Sequence, residues 1–165
     1  MSTAAFCPEC PNIMSLPAVG FSSDFARLNN ILRRDFSEIR KAETLGQQDD
    51  ALQSLDEIFE ECSEPGWDGY NALPIREEAY FEARRLIRSL PTTSFIPMPE
   101  ITPEPNGDIA LEWSKGARRI FIASMSGNNE ITYAGLFGVN RTHGTEYFGD
   151  ALPSVLLENL KRLYL

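Results

Sequence analysis

Apolar residues recur along this chain in two rhythms, one helical and one extended. Ser22 or Ser23 is a good N-cap, and Asp24 follows in the first turn. Phe25, Leu28, Leu32, Phe36 and Ile39 then fall three or four positions apart and make one helical stripe. Arg40 and Lys41 suit the negative end of that helix, and Gly46 offers a stop. A second stripe of Leu52, Leu55, Ile58, Phe59 and Cys62 predicts a helix from about Gln48 to Ser63, ended by Pro65-Gly66. A third, Ala79, Ala83, Leu86, Ile87 and Leu90, predicts a helix over Ile75 to Leu90. Pro74 fits the first turn of that helix, where a missing N–H costs no hydrogen bond.

The rhythm changes after Pro91. Five prolines between Pro91 and Pro105 exclude a long helix, and Glu100 to Thr102 reads as a short edge strand. Asn106-Gly107 is a tight-turn signal, followed by Ile109, Leu111 and Trp113 on one strand face. The next two runs alternate with either parity. One offers Ile120, Ile122 and Ser124 or Phe121, Ala123 and Met125; the other offers Ile131, Tyr133 and Gly135 or Thr132, Ala134 and Leu136. Lys115-Gly116 and Gly127-Asn128-Asn129 separate the runs, as antiparallel hairpins require. A further strand is expected at Thr145 to Phe148, and Leu152 to Leu165 reads as a closing helix with Pro153 near its start.

Helices and strands that segregate this way predict an α+β fold. The expected architecture is three N-terminal helices, a four- to five-stranded antiparallel meander, and a C-terminal helix packed on the sheet. Residues 1–20, with Pro8, Pro11 and Pro17, read as a flexible arm, and 21–165 as one domain.

Charge narrows the candidate functions. The 165-residue chain carries a formal charge of −9, which argues against direct nucleic-acid binding. Between Ala42 and Ile75 stand nine acids and no Lys or Arg: Glu43, Asp49, Asp50, Asp56, Glu57, Glu60, Glu61, Glu64 and Asp68. Such a run is ordinarily a solvated helix face. It also suits docking of a basic protein partner, or mimicry of nucleic acid in a basic groove. No apolar stretch reaches the roughly 18–20 residues of a membrane span. The first 19 residues lack the Lys or Arg of a secretion signal, so the expected location is the cytoplasm, with thiols reduced.

Three constellations could carry chemistry. Cys7-Pro8-Glu9-Cys10 has the spacing of a zinc knuckle, and Cys62 and His143 are the residues available to complete four ligands. With no second C-x-x-C in the chain, the reading without metal or any other cofactor is preferred. His143 is the only histidine, set in a polar run expected as a loop. There it could act as a base, with Arg141 holding a phosphate and Glu146 orienting the ring, in a small hydrolase or nuclease site. Trp67, Asp68 and Tyr70, in the loop Gly66-Trp67-Asp68-Gly69-Tyr70, fit either partner recognition or a structural turn with a Trp plug. Glu112 is expected to pair across the sheet with Arg118 or Arg119.

The Gly66–Tyr70 loop, with Ala72 and Pro74, and the segment Pro103-Glu104-Pro105-Asn106-Gly107-Asp108-Ile109-Ala110-Leu111-Glu112-Trp113 resemble an uncharacterised family of short bacterial proteins. The resemblance continues through Ile131 to Gly135 and His143 to Glu146, and covers about the last hundred residues. It implies a bacterial source and a shared fold, and brings no catalytic assignment. The expected function is therefore a non-enzymatic accessory or regulatory protein of antitoxin, inhibitor or adaptor type. Its partner-binding residues would be Asp49, Asp56, Glu57, Glu60, Glu61, Glu64, Trp67, Asp68 and Tyr70.

Overall fold

A computed structural model describes residues 46–92 and 95–164. The expected arm, residues 1–20, and the expected first helix from Ser22 lie outside the described residues, as do Cys7, Cys10 and Glu43. Within them the fold is α+β.

The second predicted stripe forms helix α1 (46–61). Gly46 belongs to this helix. Ala51, Leu55 and Cys62 are buried, with Leu52, Ile58 and Phe59 partly so. They pack on helix α2 (Glu77–Ser89), where the Phe59 ring stacks on Tyr80 at 4.4 Å. The amide of Gln48 donates to the Ile87 carbonyl at 2.8 Å.

Helix α2 is shorter than its apolar pattern suggested. Pro74 to Arg76 are extended, because the N–H of Ile75 donates to the Cys62 carbonyl (3.1 Å) and that of Arg76 to the Gly107 carbonyl (3.0 Å). The helix begins only after those bonds are made. Glu77 and Glu78 in its first turn and Arg88 in its last then favour the dipole. It buries Ala79, Ala83, Leu86 and Ile87.

Five strands follow: β1 (Glu100–Pro103), β2 (Ile109–Ser114), β3 (Arg119–Met125), β4 (Glu130–Phe137) and β5 (Asn140–Tyr147). Each pairs antiparallel with its chain neighbour, so the sheet order is the chain order. Helix α3 (Ser154–Tyr164) closes the fold directly after Pro153. It lies over β3 and β4, while α2 lies over β2 and β3.

The helices choose between the two parities left open by the pattern. Phe121, Ala123 and Met125 of β3, and Ile131, Tyr133 and Phe137 of β4, turn to the helical side with Ile109, Leu111 and Trp113. Trp113 and Phe121 are cross-strand partners with ring centroids 6.0 Å apart, and the Trp113 indole N–H donates to the Pro97 carbonyl. The other set is left on the outer face: Ile120 and Ile122, Ala134 and Leu136.

β5 corrects the expected loop and short strand. The residues from Asn140 to Glu146 pair with β4 throughout, and strand structure ends at Tyr147 rather than running from Thr145 to Phe148. The inner positions Thr142, Gly144 and Glu146 are not apolar, which hid the strand. Gly144 stands opposite Tyr133, whose ring lies across it; a Cβ there would sit 2.6 Å from the phenol oxygen.

A buried carboxylate joins the helical layer to the sheet. Glu82 accepts hydrogen bonds from the Gly127 N–H (2.8 Å) and the Asn129 N–H in the β3–β4 turn. The turn's free donors thus offset the desolvation of its charge. No helix among the described residues is long and apolar enough to cross a membrane.

Candidate functional site

The loop from Gly66 to Pro74 leaves the C-terminal end of α1 and is tied down almost entirely by itself. Trp67 lies against the core, and its indole N–H donates to the Leu73 carbonyl at 2.9 Å. Asp68 accepts from the backbone N–H groups of Tyr70 (2.8 Å) and Ala72 (3.2 Å). The Asp68 carboxylate thus shapes the turn, and Trp67 pins it. Tyr70 does neither, and its side chain is 85% exposed.

This loop docks on the β1–β2 turn. The Leu73 N–H donates to the Pro105 carbonyl, and the Arg76 guanidinium pairs with Asp108. Asp108 is buried and also accepts from the Asn106 amide (2.8 Å) and the Ser126 hydroxyl (3.2 Å). Gly107 has φ +86, and a Cβ would stand 2.7 Å from the Pro74 carbonyl oxygen, so both conformation and space require glycine. The Asn-Gly signal in the sequence marks this turn, but its partner loop lies some thirty residues away and left no local trace.

The acids of α1 divide by role. Asp56 turns inward to accept from the Tyr80 hydroxyl and the Arg84 guanidinium, each at 2.6 Å, and ties α1 to α2. Burial first, and then the bond to Asp56, hold the Tyr80 phenol above its ordinary pKa, against the lowering effect of Arg84. Asp49, Asp50, Glu57, Glu60, Glu61 and Glu64 are exposed, and none meets a cation among the described residues. Glu60 and Glu61 occupy the last turn of α1, where the helix dipole is negative and acids are unfavourable.

The residues proposed for acid–base chemistry do not converge. Side chains alternate along β5, so Arg141 and His143 stand on the outer face, opposite Leu136 and Ala134. Glu146, opposite Ile131, is on the inner side and cannot orient the imidazole. Neither do the described metal candidates meet. Cys62 is buried in the core behind α1, His143 is exposed on the far face of the sheet, and no group of three potential ligands occurs among the described residues. Burial, with Glu61 adding to it, raises the Cys62 thiol above its ordinary pKa, the opposite of what a thiolate ligand needs. The expected pairing of Glu112 does not form either. Glu112 faces Glu100 and Ile122, and Arg119 donates instead to the Arg162 carbonyl at 2.9 Å.

The outer face does hold one feature that the sequence reading missed. An open depression of about 540 Å³ is floored by Ile120, Ile122, Ala134 and Leu136. Arg118, Val139, Arg141 and His143 border it. Arg118 has φ 65, and its carbonyl accepts the Gly138 N–H at 2.8 Å, which fixes it beside the β4–β5 turn at one end of the depression. Its signal in the sequence is the second apolar parity of β3 and β4.

No family model, curated protein or solved structure matches the chain.

Proposed function

We propose that this protein is a non-enzymatic accessory or regulatory factor that binds a basic protein partner through the exposed face of α1. The observation that carries this reading is the placement of Glu60 and Glu61. They stand unpaired at the end of a helix where their charge opposes the dipole, beside Glu57 and Glu64, which also lack cationic partners among the described residues. Acids placed where they weaken their own helix fit a role toward a partner better than a role in the fold. Tyr70, exposed in the loop that follows, supplies an aromatic contact of the kind that anchors protein interfaces. Asp56, Trp67 and Asp68 support this surface from below without contacting the partner.

The test is purification of the tagged full chain from its native host at low and high salt, with mass spectrometry of co-eluting proteins. The expected result is a basic partner that is lost at high salt. It should also be lost with the triple variant Glu57→Lys, Glu60→Lys, Glu61→Lys, verified as folded by circular dichroism. A chain that elutes alone at low salt, or a partner indifferent to the triple substitution, counts against the proposal.

A further inference from the structure

The outer face of the sheet offers a second surface, independent of the acidic helix. Cross-strand register lays it out in rows. One row runs Ser114, Ile120, Leu136, Arg141, and the next runs Glu112, Ile122, Ala134, His143. The apolar centre is two strands wide and is flanked by Arg141 and His143 on the β5 side and by a carboxylate on the β2 side. Beyond these rows the face turns polar at Ser124, Thr132 and Thr145. Neither Arg118 nor Arg141 meets a carboxylate among the described residues, within a chain whose formal charge is −9.

We infer that this groove docks an amphipathic α-helix of a partner protein, with an apolar stripe of about two turns and acidic residues along the flank that meets β5. Width favours a helix. Strands spaced roughly 4.8 Å apart set the walls of a two-strand floor about 14 Å apart. A helix with its side chains measures roughly 10–12 Å. The same two strands already carry α3 on their inner side. Charge sets the chemistry and the direction: Arg118 and Arg141 attract carboxylates, whereas Glu112 and its neighbour Glu100 repel them. A basic-flanked helix would face the two arginines across the groove and is excluded on the same ground. The floor is small, so binding is weak and fast to exchange.

The experiment uses the isotope-labelled full chain and three synthetic helical peptides that share one leucine stripe. The stripe is flanked by Glu, by Lys or by Gln, and binding is read from methyl resonances. The Glu-flanked peptide is expected to move Ile120, Ile122 and Leu136 while Ile131 and Met125 of the inner face stay fixed. Its affinity should fall about tenfold in Arg141→Glu, as for loss of a close interfacial charge pair. The Lys-flanked peptide should regain that loss on the same variant. Arg118→Glu provides an independent repeat should Arg141→Glu disturb the fold. Equal binding of the Glu and Lys peptides overturns the inference, as do unmoved outer methyls. It also fails if the outer methyls of the isolated chain show nuclear Overhauser contacts to residues 1–45 of its own sequence, or shifts that change with its concentration as a second copy binds. The α1 triple variant should bind all three peptides as the native chain does, which separates this surface from the one proposed above.

Discussion

Both faces of the sheet are apolar along β3 and β4, yet they lead different lives. The inner face is filled by α2 and α3 and keeps Trp113, Phe121 and Met125 almost wholly from water. Ile120, Ile122 and Leu136 on the outer face are only partly covered. Apolar alternation alone therefore does not distinguish a core from a docking surface. What distinguishes them is the arrangement around the apolar residues: aromatic packing and buried hydrogen bonds inside, unpaired charge at the margin outside.

The largest effect that should separate the faces comes from neighbouring truncations on one strand. Phe121→Ala opens a cavity against Trp113 and Tyr133 and is expected to cost about 3–5 kcal/mol in denaturant unfolding. Ile122→Ala, one residue along, should cost under about 1 kcal/mol, because a half-covered side chain leaves no closed cavity. Comparable losses would mean that the outer face is as enclosed as the inner one.

Asp108→Ala tests whether the inner layer depends on the loop that frames it. It removes the partner of Arg76, Asn106 and Ser126 together and is expected to cost about 2 kcal/mol, the Arg76 side chain being partly solvated. Hydrogen exchange should speed at Leu73 and Arg76, whose N–H groups cross to the β1–β2 turn, and stay unchanged in the β4–β5 ladder.

Alkaline pH should also act on the helical side alone. The thiol of Cys62 and the phenols of Tyr80 and Tyr164 have pKa values raised by burial. The stability these groups contribute is complete below their ordinary values of 9.0 and 10.0, and is lost as pH climbs through the raised ones. Urea midpoints should therefore hold steady to about pH 9 and fall above it. Cys62→Ala should soften the first part of that fall.

The smallest expected effect has the opposite sign. Glu60→Lys and Glu61→Lys, made singly, should each stabilise the fold by about 0.3–1 kcal/mol by reversing an unfavourable charge at the end of α1. Thermal unfolding at low and high salt measures it, and the gain should shrink with salt.

Much of this architecture was legible in the chain because its periodicities are long or sharply bounded. The stripes of α1 and α2, the Asn106-Gly107 turn and the Gly127-Asn129 turn all stand where the pattern put them. Three things escaped for physical reasons. Nothing local in Pro74 to Arg76 signals that distant carbonyls would take the N–H groups of Ile75 and Arg76. β5 places Thr142, Gly144 and Glu146 on its inner side, where alternation needs apolar residues to be visible. Both parities of β3 and β4 are apolar, so only the helices could decide between them. The candidate residues fared according to range. The Asp68 turn is local and readable, whereas the separation of Glu146 from His143 follows from the parity of β5, whose inner positions carry no apolar signal.

The sheet's order has a kinetic consequence. Every strand among the described residues pairs with the one next to it in the chain, and the β4–β5 connection is as short as Gly138-Val139. No ladder waits for a long loop to close, so the entropy lost in forming each is small. Such a topology has low contact order for a β-rich protein, and folding rates rise as contact order falls. The slower contacts to form are those that span the chain, such as Glu82 to the β3–β4 turn and Arg85 to the Phe148 carbonyl. The sheet should therefore zip hairpin by hairpin, and the helices then lock the face on which they land.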